Sequence, residues 1–453
     1  MEKQTQISKR MWAILIVFGL FGQIAWSVEN MYFNLFVYNT IAKDTAVVTL
    51  MVQLSGVMAT VVTLFAGIFS DKLGNRKHFI SIGYIIWGIT ILVFAFITKD
   101  NTASIFGITE TAKIISVTCT IVVVMDCVMT LFGSTANDAC FNAWVTDNTD
   151  TTNRGKVEGV LSIMPLIAML IVAGGFGMLV SAIGYDGMFI TLGIIVSIVG
   201  ILGLFYIKDS PTLQKSNNVF YKDLIYGFKP SVIKENVTFY IVLLTIGIYS
   251  IACQVFMPYL IIYLQEYLEF TVIEYSIVLG LVITLGAVAV VLITSKSDKY
   301  RKDKLCYIFT GVFAFGLIAI YFIKGENHTL NMVLLGIFGL IMIIGYISLL
   351  SLLGALVRDY TPLENAGKLQ GIRMIFYVLI PMFVGPAIGQ ALNESQGRTY
   401  IDPDTEQLAN IPAPEIFLVA GIIVLLMFIP LAFLTLRINK EKMENKKQEI
   451  TQE

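Results

Sequence analysis

Charge is scarce in this sequence: only 14% of its 453 residues are Asp, Glu, Lys or Arg, against about a quarter in soluble domains. Histidine is scarcer still, with His78 and His328 as the only two, both at the edges of apolar runs. No HExxH pair, Walker-type phosphate loop or Gly-rich dinucleotide turn occurs, so the usual signatures of metal, nucleotide and cofactor chemistry are missing. No cofactor, metal or nucleic-acid partner is expected. The five cysteines (Cys119, Cys127, Cys140, Cys253, Cys306) fall inside apolar runs and lack CxxC spacing. They read as packing residues, neither a disulfide framework nor a metal site.

What the chain has is apolar length. Hydrophobic residues make up 56% and the mean hydropathy is +0.78. Twelve runs approach or exceed the ~20 residues needed to cross a bilayer, near residues 11–41, 46–70, 79–98, 114–145, 157–182, 187–207, 237–265, 272–295, 305–323, 330–357, 370–392 and 415–436. The first is too long for a secretory signal core and is expected to be a retained helix. Basic residues divide unequally among the connections. Lys43, Lys99, Lys113, Lys324 and Arg398 fall on one face, and 26 of the 31 fall on the other, which carries both termini. The positive-inside rule makes that second face cytoplasmic, and the expected location is the cell membrane.

The chain also repeats itself. Ala355 to Gly371 (ALVRDYTPLENAGKLQG) matches Ala143 to Gly159 (AWVTDNTDTTNRGKVEG) at eight of seventeen positions with an offset of 212. The loops after helices 2 and 8, GIFSDKLGNRK and TSKSDKYRKDK, share Asp-Lys at Asp71 and Asp298 with an offset of 227. The extra residues are assigned to the longer connection between helices 3 and 4. The expected fold is therefore an all-α membrane protein of twelve helices in two pseudo-symmetric six-helix bundles. They occupy residues 1–207 and 237–437, with a cytoplasmic linker at 208–236 and a charged cytoplasmic tail at 438–453. Parallel repeats of this kind are the plan of an alternating-access transporter, with the solute site between the repeats near the midplane.

GIFSDKLGNRK, with Gly67, Asp71, Lys72, Gly74 and Arg76 in place, resembles the loop signature of the major facilitator superfamily. Asn75 stands where that signature is usually basic, and Thr294 stands where the second copy would have Gly. The helix count and the repeat extend the resemblance over nearly the whole chain. Within the superfamily, the Asp-x-Thr-x3-Asn-x-Gly-Lys segment after helix 4 and MYFNLFVY in helix 1 resemble the glycoside-pentoside-hexuronide cation symporters and their sucrose-transporter relatives. Melibiose-permease-like members carry cation-binding aspartates on helix 2. Here Ser55 and Ala59 stand there, with no acid from Val47 to Ser70, so that family's sodium site is not expected.

Helix 1 places Gln23, Ser27, Asn30, Asn34 and Tyr38 at spacings of four, three, four and four, with Trp26 and Glu29 beside them. That is one helical face. Helix 4 does the same with Asp126, Thr130, Ser134 and Asn137. Asp126 lies about 18 Å along the helix from Ile114 at ~1.5 Å per residue, close to the midplane. An acid there costs roughly 2.5 to 3.5 kcal/mol on insertion scales and marks a functional position. Helix 7 offers Ser250 and Gln254 ahead of Pro258, and helix 11 offers Tyr377 one turn after Arg373. Arg373 either snorkels to the interface or points inward as a counter-charge. The candidate substrate-binding set is thus Gln23, Trp26, Asn30, Asn34, Thr130, Ser250, Gln254 and Tyr377. Asp126 and Glu29 are the coupling acids. Asp71, Arg76, Asp147, Arg154, Asp298, Arg301 and Asp359 are the gating residues, with Asp71 expected to meet Arg154 or the amino end of helix 11.

The expected activity is uptake of a sugar or small glycoside by a monomeric carrier in the bilayer, coupled to a cation and to a proton before sodium. Uncharged polar groups beside an indole suit a polyhydroxyl solute, and the substrate assignment leans on the resemblance. A drug/proton antiporter of the same fold and a transporter-like solute sensor are the alternatives. No enzymatic activity is expected.

Overall fold

The computed structural model describes residues 7–149, 153–210, 226–294, 301–324, 327–362, 369–402 and 408–452. Nearly all of them are helical. Among them, eleven segments are long and apolar enough to span a membrane, one fewer than the runs counted in the sequence. The difference lies at Gly184, inside the segment Gly159–Tyr206. Its φ of 73° and ψ of 176° break the helical path, a conformation open to glycine but strained for other residues. The chain turns there, and helices 5 and 6 meet without a loop. Counting both, the described residues make twelve crossings.

Helix starts follow local chemistry. Ser8 accepts from the Met11 amide at 3.2 Å at the start of helix 1, and Asp44 accepts from Ala46 at 2.8 Å at the start of helix 2. Both satisfy backbone donors that have no carbonyl partner in the first turn. The long connection between helices 3 and 4 holds a short helix, Lys99–Phe106, capped by Thr98. Pro258 interrupts helix 7 as expected, where Met257–Tyr259 forms a single 3-10 turn. Wider π turns occur in helix 1 (Glu29–Phe33 and Val37–Ile41), helix 4 (Ser134–Phe141), helix 5 (Val172–Phe176), helix 7 (Tyr263–Tyr267) and helix 11 (Ile375–Leu379). Such turns gather at functional positions.

The chain divides into two compact units. The first comprises Met1–Asn218, Met257–Gly280 and Gln390–Ala413; the second comprises Val219–Phe256, Leu281–Gly389 and Pro414–Glu453. In the first, helix 3 packs along helix 6. A Cβ on Gly88 would stand 2.5 Å from the Gly193 carbonyl oxygen and 2.5 Å from the Ser197 amide, so the two backbones touch only because that position carries no side chain. Phe33, Phe94 and Phe189 fill the space beside this contact, with centroids 4.6 to 5.5 Å apart. In the second unit, helix 9 packs along helix 12. This is the same pairing displaced by six helices, as a parallel repeat requires. A two-stranded antiparallel hairpin, β1 (Arg398–Ile401) and β2 (Leu408–Ile411), belongs to the first unit.

Gly88→Val is expected to cost about 1–3 kcal/mol through overpacking and to lower the thermal unfolding temperature in detergent. Gly336→Val, at a position with open space around it, should leave that temperature within a degree or two.

Candidate functional site

Helix 1 supplies the first wall. Gln23, Trp26 and Ser27 are half-buried and Asn30 is exposed, whereas Asn34 and Tyr38, further along the same stripe, are buried. The accessible face therefore ends at Asn30. At the π turn the asparagines serve the backbone. Asn30 Nδ2 donates to the Trp26 carbonyl at 2.8 Å, and Asn34 Nδ2 donates to the Asn30 carbonyl at 2.9 Å. These are carbonyls that a widened turn leaves in need of donors.

Glu29, at the first position of that π turn, is turned away from the stripe and buried. Its Oε1 accepts from the Ser55 hydroxyl of helix 2 at 3.1 Å and from the Thr130 hydroxyl of helix 4 at 3.3 Å. Asp126, 1% exposed, lies one helical turn before Thr130, whose hydroxyl bonds Glu29. Glu29 Oε2 and Asp126 Oδ1 have no hydrogen-bond partner among the described residues. Helices 1, 2 and 4 thus meet at Glu29, with Asp126 buried one turn away along helix 4. Ser55 of helix 2 meets an acid contributed by helix 1.

A third acid, Asp138, was not among the residues singled out from the sequence. It accepts from Trp26 Nε1 at 3.2 Å, from Ser134 Oγ at 3.1 Å and from Asn137 Nδ2 at 3.1 Å, and it is half-buried. The indole of Trp26 also leans on Trp87, with centroids 4.9 Å apart. Asn137 in turn accepts from the Tyr84 hydroxyl at 2.9 Å, so helices 1, 3 and 4 are tied through one polar chain. A signal was present in the sequence. The spacing of four from Asp126 through Thr130 and Ser134 continues to Asp138, and the π turn that begins at Ser134 keeps that position on the inner face.

In the second unit Ser250 and Gln254 of helix 7 and Tyr377 of helix 11 are half-buried, and Gln254 lies against Gly385 of helix 11. Arg373 stands 6.0 Å from the Tyr377 ring, with its Nε buried and without a hydrogen bond among the described residues. It therefore reaches toward the bundle side occupied by Tyr377. These residues share a unit with one another and not with the acids of helices 1 and 4.

The loops after helices 2 and 4 carry a charge network. Arg76 bonds Asp71, Ser70 and, at 3.0 Å, Asp147. Asp209 caps helix 3 through the amides of Arg76 and Lys77 at 3.0 and 2.8 Å. Asp71 takes an ion pair from Arg76 of its own loop; its expected partners, the Arg154 side chain and the segment leading into helix 11, lie outside the described residues. Of Arg154 only the backbone, at the start of helix 5, lies within the described structure, and Asp298 lies outside it. The second repeat has its own version, in which Lys302 pairs with Asp359 at 2.6 Å and Arg301 with Asp303 at 2.7 Å. Asp147 and Asp359 are the residues matched at offset 212. Each binds a cation at the start of the preceding helix of its own half.

Twelve crossings, a parallel repeat and buried acids within a helix bundle define a multi-pass membrane protein built as a transporter. The family model described as Major Facilitator Superfamily matches residues 11–386, and the chain belongs to that superfamily. No curated protein matches it in sequence. Among solved structures it is similar to a mutant of the nucleoside transporter NupG (13% identity, TM-score 0.66, covering 93% of this chain and 99% of that one). It is also similar to the xylose transporter XylE from E. coli in a partially occluded inward-open conformation (14%, 0.65, 93% and 96%). A third similar structure is a bacterial homolog of the human lysosomal transporter Spinster (12%, 0.63, 95% and 97%). At these identities the likeness is one of fold.

The charge network makes a graded prediction. The Arg76 side chain is 5% exposed, whereas Lys302 and Asp359 are 32% and 47% exposed. Combining Asp71→Asn with Asp147→Asn strands a buried guanidinium and should cost about 3–5 kcal/mol. Asp359→Asn should cost about 0–1 kcal/mol. Thermal unfolding of the purified variants measures both.

Proposed function

We propose that the protein is a cation-coupled importer of a sugar or small glycoside, working by alternating access and coupled to protons. The observation that carries this reading is the pairing of Glu29 with Asp126. Two buried carboxyls linked through Thr130, each with an oxygen that has no hydrogen-bond partner among the described residues, repel when both are ionised in a medium of low dielectric. Uptake of one proton by the pair relieves that repulsion, and its release restores it. A carrier that loads this proton with the cavity open to one side and discharges it on the other converts a proton gradient into solute accumulation.

Beside this pair, the accessible face of helix 1 presents Gln23, Trp26 and Asn30, with Asp138 holding the indole edge. Hydroxyl groups of a sugar would bond the amides and the carboxylate, and its apolar ring face would stack on the indole. Ser250, Gln254 and Tyr377 are proposed as the contribution of the second repeat. The sugar and nucleoside transporters among the structural neighbours are in keeping with a polyhydroxyl solute. The resemblance of helix 1 and of the segment after helix 4 to the glycoside-pentoside-hexuronide symporters supports the same solute class. The expected setting is the cell membrane, with both termini in the cytoplasm and a monomer as the working unit. The acids also suit a cationic solute, which keeps a drug/proton antiporter as the second reading.

In proteoliposomes screened with a labelled glycoside panel, Asp126→Asn is expected to abolish accumulation driven by a pH gradient and to leave downhill exchange within a few-fold of the parent. Glu29→Gln should do the same if the two acids share one proton. Accumulation that follows sodium and ignores pH would assign the pair and the Ser55 and Thr130 hydroxyls to sodium. Export of cationic compounds would favour the antiporter, and binding without flux would leave a sensor.

A further inference from the structure

The β-hairpin between helices 11 and 12 is not a free loop. Asn410, in β2, faces Thr399 of β1, yet both of its backbone groups are bonded away from that strand. Its amide donates to the Lys43 carbonyl at 3.0 Å, and its carbonyl accepts from the Tyr38 hydroxyl at 2.9 Å. The hairpin thus uses its outer edge, where unpaired strand groups seek partners, to hold the end of helix 1 and the turn into helix 2. Side chains repeat the connection. Lys43 Nζ donates to the Tyr400 hydroxyl at 3.1 Å, and the Arg398 guanidinium lies 4.8 Å from the Tyr267 ring of helix 7. Burial works against the charge of Lys43, and the Tyr400 hydroxyl with the carboxylates of Glu266 and Asp402 outweighs it. The ammonium therefore stays protonated and keeps its grip.

The hairpin's base is equally fixed. Asn393, fully buried at the end of helix 11, accepts from the Ala413 amide at 2.9 Å through its side chain and from the Gly397 amide at 3.0 Å through its carbonyl. Beneath the hairpin lies a second layer in which Thr49 of helix 2 meets Tyr259 of helix 7 at 2.5 Å and Gln390 of helix 11 at 3.2 Å. Asn39 of helix 1 donates to Gln265 of helix 7 at 3.2 Å. These bonds join helices 1 and 2 to helices 7 and 11, which belong to opposite repeats, at the helix ends remote from the termini. All lie within the first compact unit.

We propose that the hairpin is a strap that locks this end of the transporter, and that passage of solute through it requires the Asn410, Tyr38 and Tyr400 bonds to break. The proposal rests on the alternating-access reading, because only a carrier that opens at both ends needs a releasable closure. A strap held by one main-chain bond, one phenol–carbonyl bond and one ammonium–phenol bond, each of modest net strength because water replaces it on opening, is strong enough to favour closure and weak enough to release without unfolding. Asn410→Pro removes the amide that reaches Lys43, and β1 does not use that amide, so proline is tolerated there as on other strand edges.

The test uses the full chain with its five cysteines replaced and Thr49→Cys as a probe beneath the strap. In proteoliposomes, an impermeant maleimide is applied to the compartment facing the hairpin. Combining Asn410→Pro with Tyr38→Phe and Tyr400→Phe is expected to raise the labelling rate at least fivefold over the probe alone. An unchanged rate overturns the strap, and this readout needs no solute, so it stands apart from the transport reading. In a second arm without the probe, Lys43→Cys and Asn410→Cys are oxidised to a disulfide. Glycoside flux should stop and return with reductant, the recovery showing that the locked protein was folded. Full flux through the crosslinked protein would also overturn the proposal.

Discussion

Two buried carboxyl groups linked through Thr130, Glu29 and Asp126, set the terms for the rest of the first unit. Charge is costly in a membrane interior, so three helices are arranged around the pair. Helix 1 widens into a π turn at Glu29, helix 2 turns Ser55 toward it, and helix 4 supplies Thr130 and Asp126. The close approach of helices 3 and 6 at Gly88 and the aromatic packing around Phe33 brace helix 1 against that demand. In the proposed mechanism, protonation of a site bonded by three helices is felt by all of them at once, so that a small charge change biases a large rearrangement.

The two charge networks at the loops show what duplication preserves. Asp147 and Asp359 occupy matched positions and both bind a basic residue at the start of the preceding helix, but the first repeat uses a buried arginine and the second a half-buried lysine paired with an exposed aspartate. The first network is therefore the stiffer. Asp209, beside the linker, caps helix 3 in the same network, so the first bundle's end is fixed to the segment that leads to the second.

Much of this was legible in the sequence because lipid enforces a simple code. Apolar length marked the helices, the offset of 212 paired Asp147 with Asp359, and Pro258 marked the break in helix 7. The polar stripe of helix 1 was visible too, but not that its accessible part stops at Asn30. Periodicity assumes 3.6 residues per turn, and the π turns at Glu29–Phe33 and Val37–Ile41 shift every side chain beyond them. Asp138 was passed over for a related reason, since Asn137 completed an ideal stripe and the widened turn favoured its neighbour. The contacts of the hairpin were not legible, because bonds such as that from Tyr38 to Asn410 join residues hundreds of positions apart.

Movement of a proton with solute through the Glu29 and Asp126 pair is tested most directly by recording luminal pH in sodium-free proteoliposomes while a transported glycoside flows inward down its gradient. The account predicts luminal acidification that tracks solute entry and disappears in Asp126→Asn although the solute still exchanges. Solute entry with no change in luminal pH, or entry that requires sodium, would contradict it.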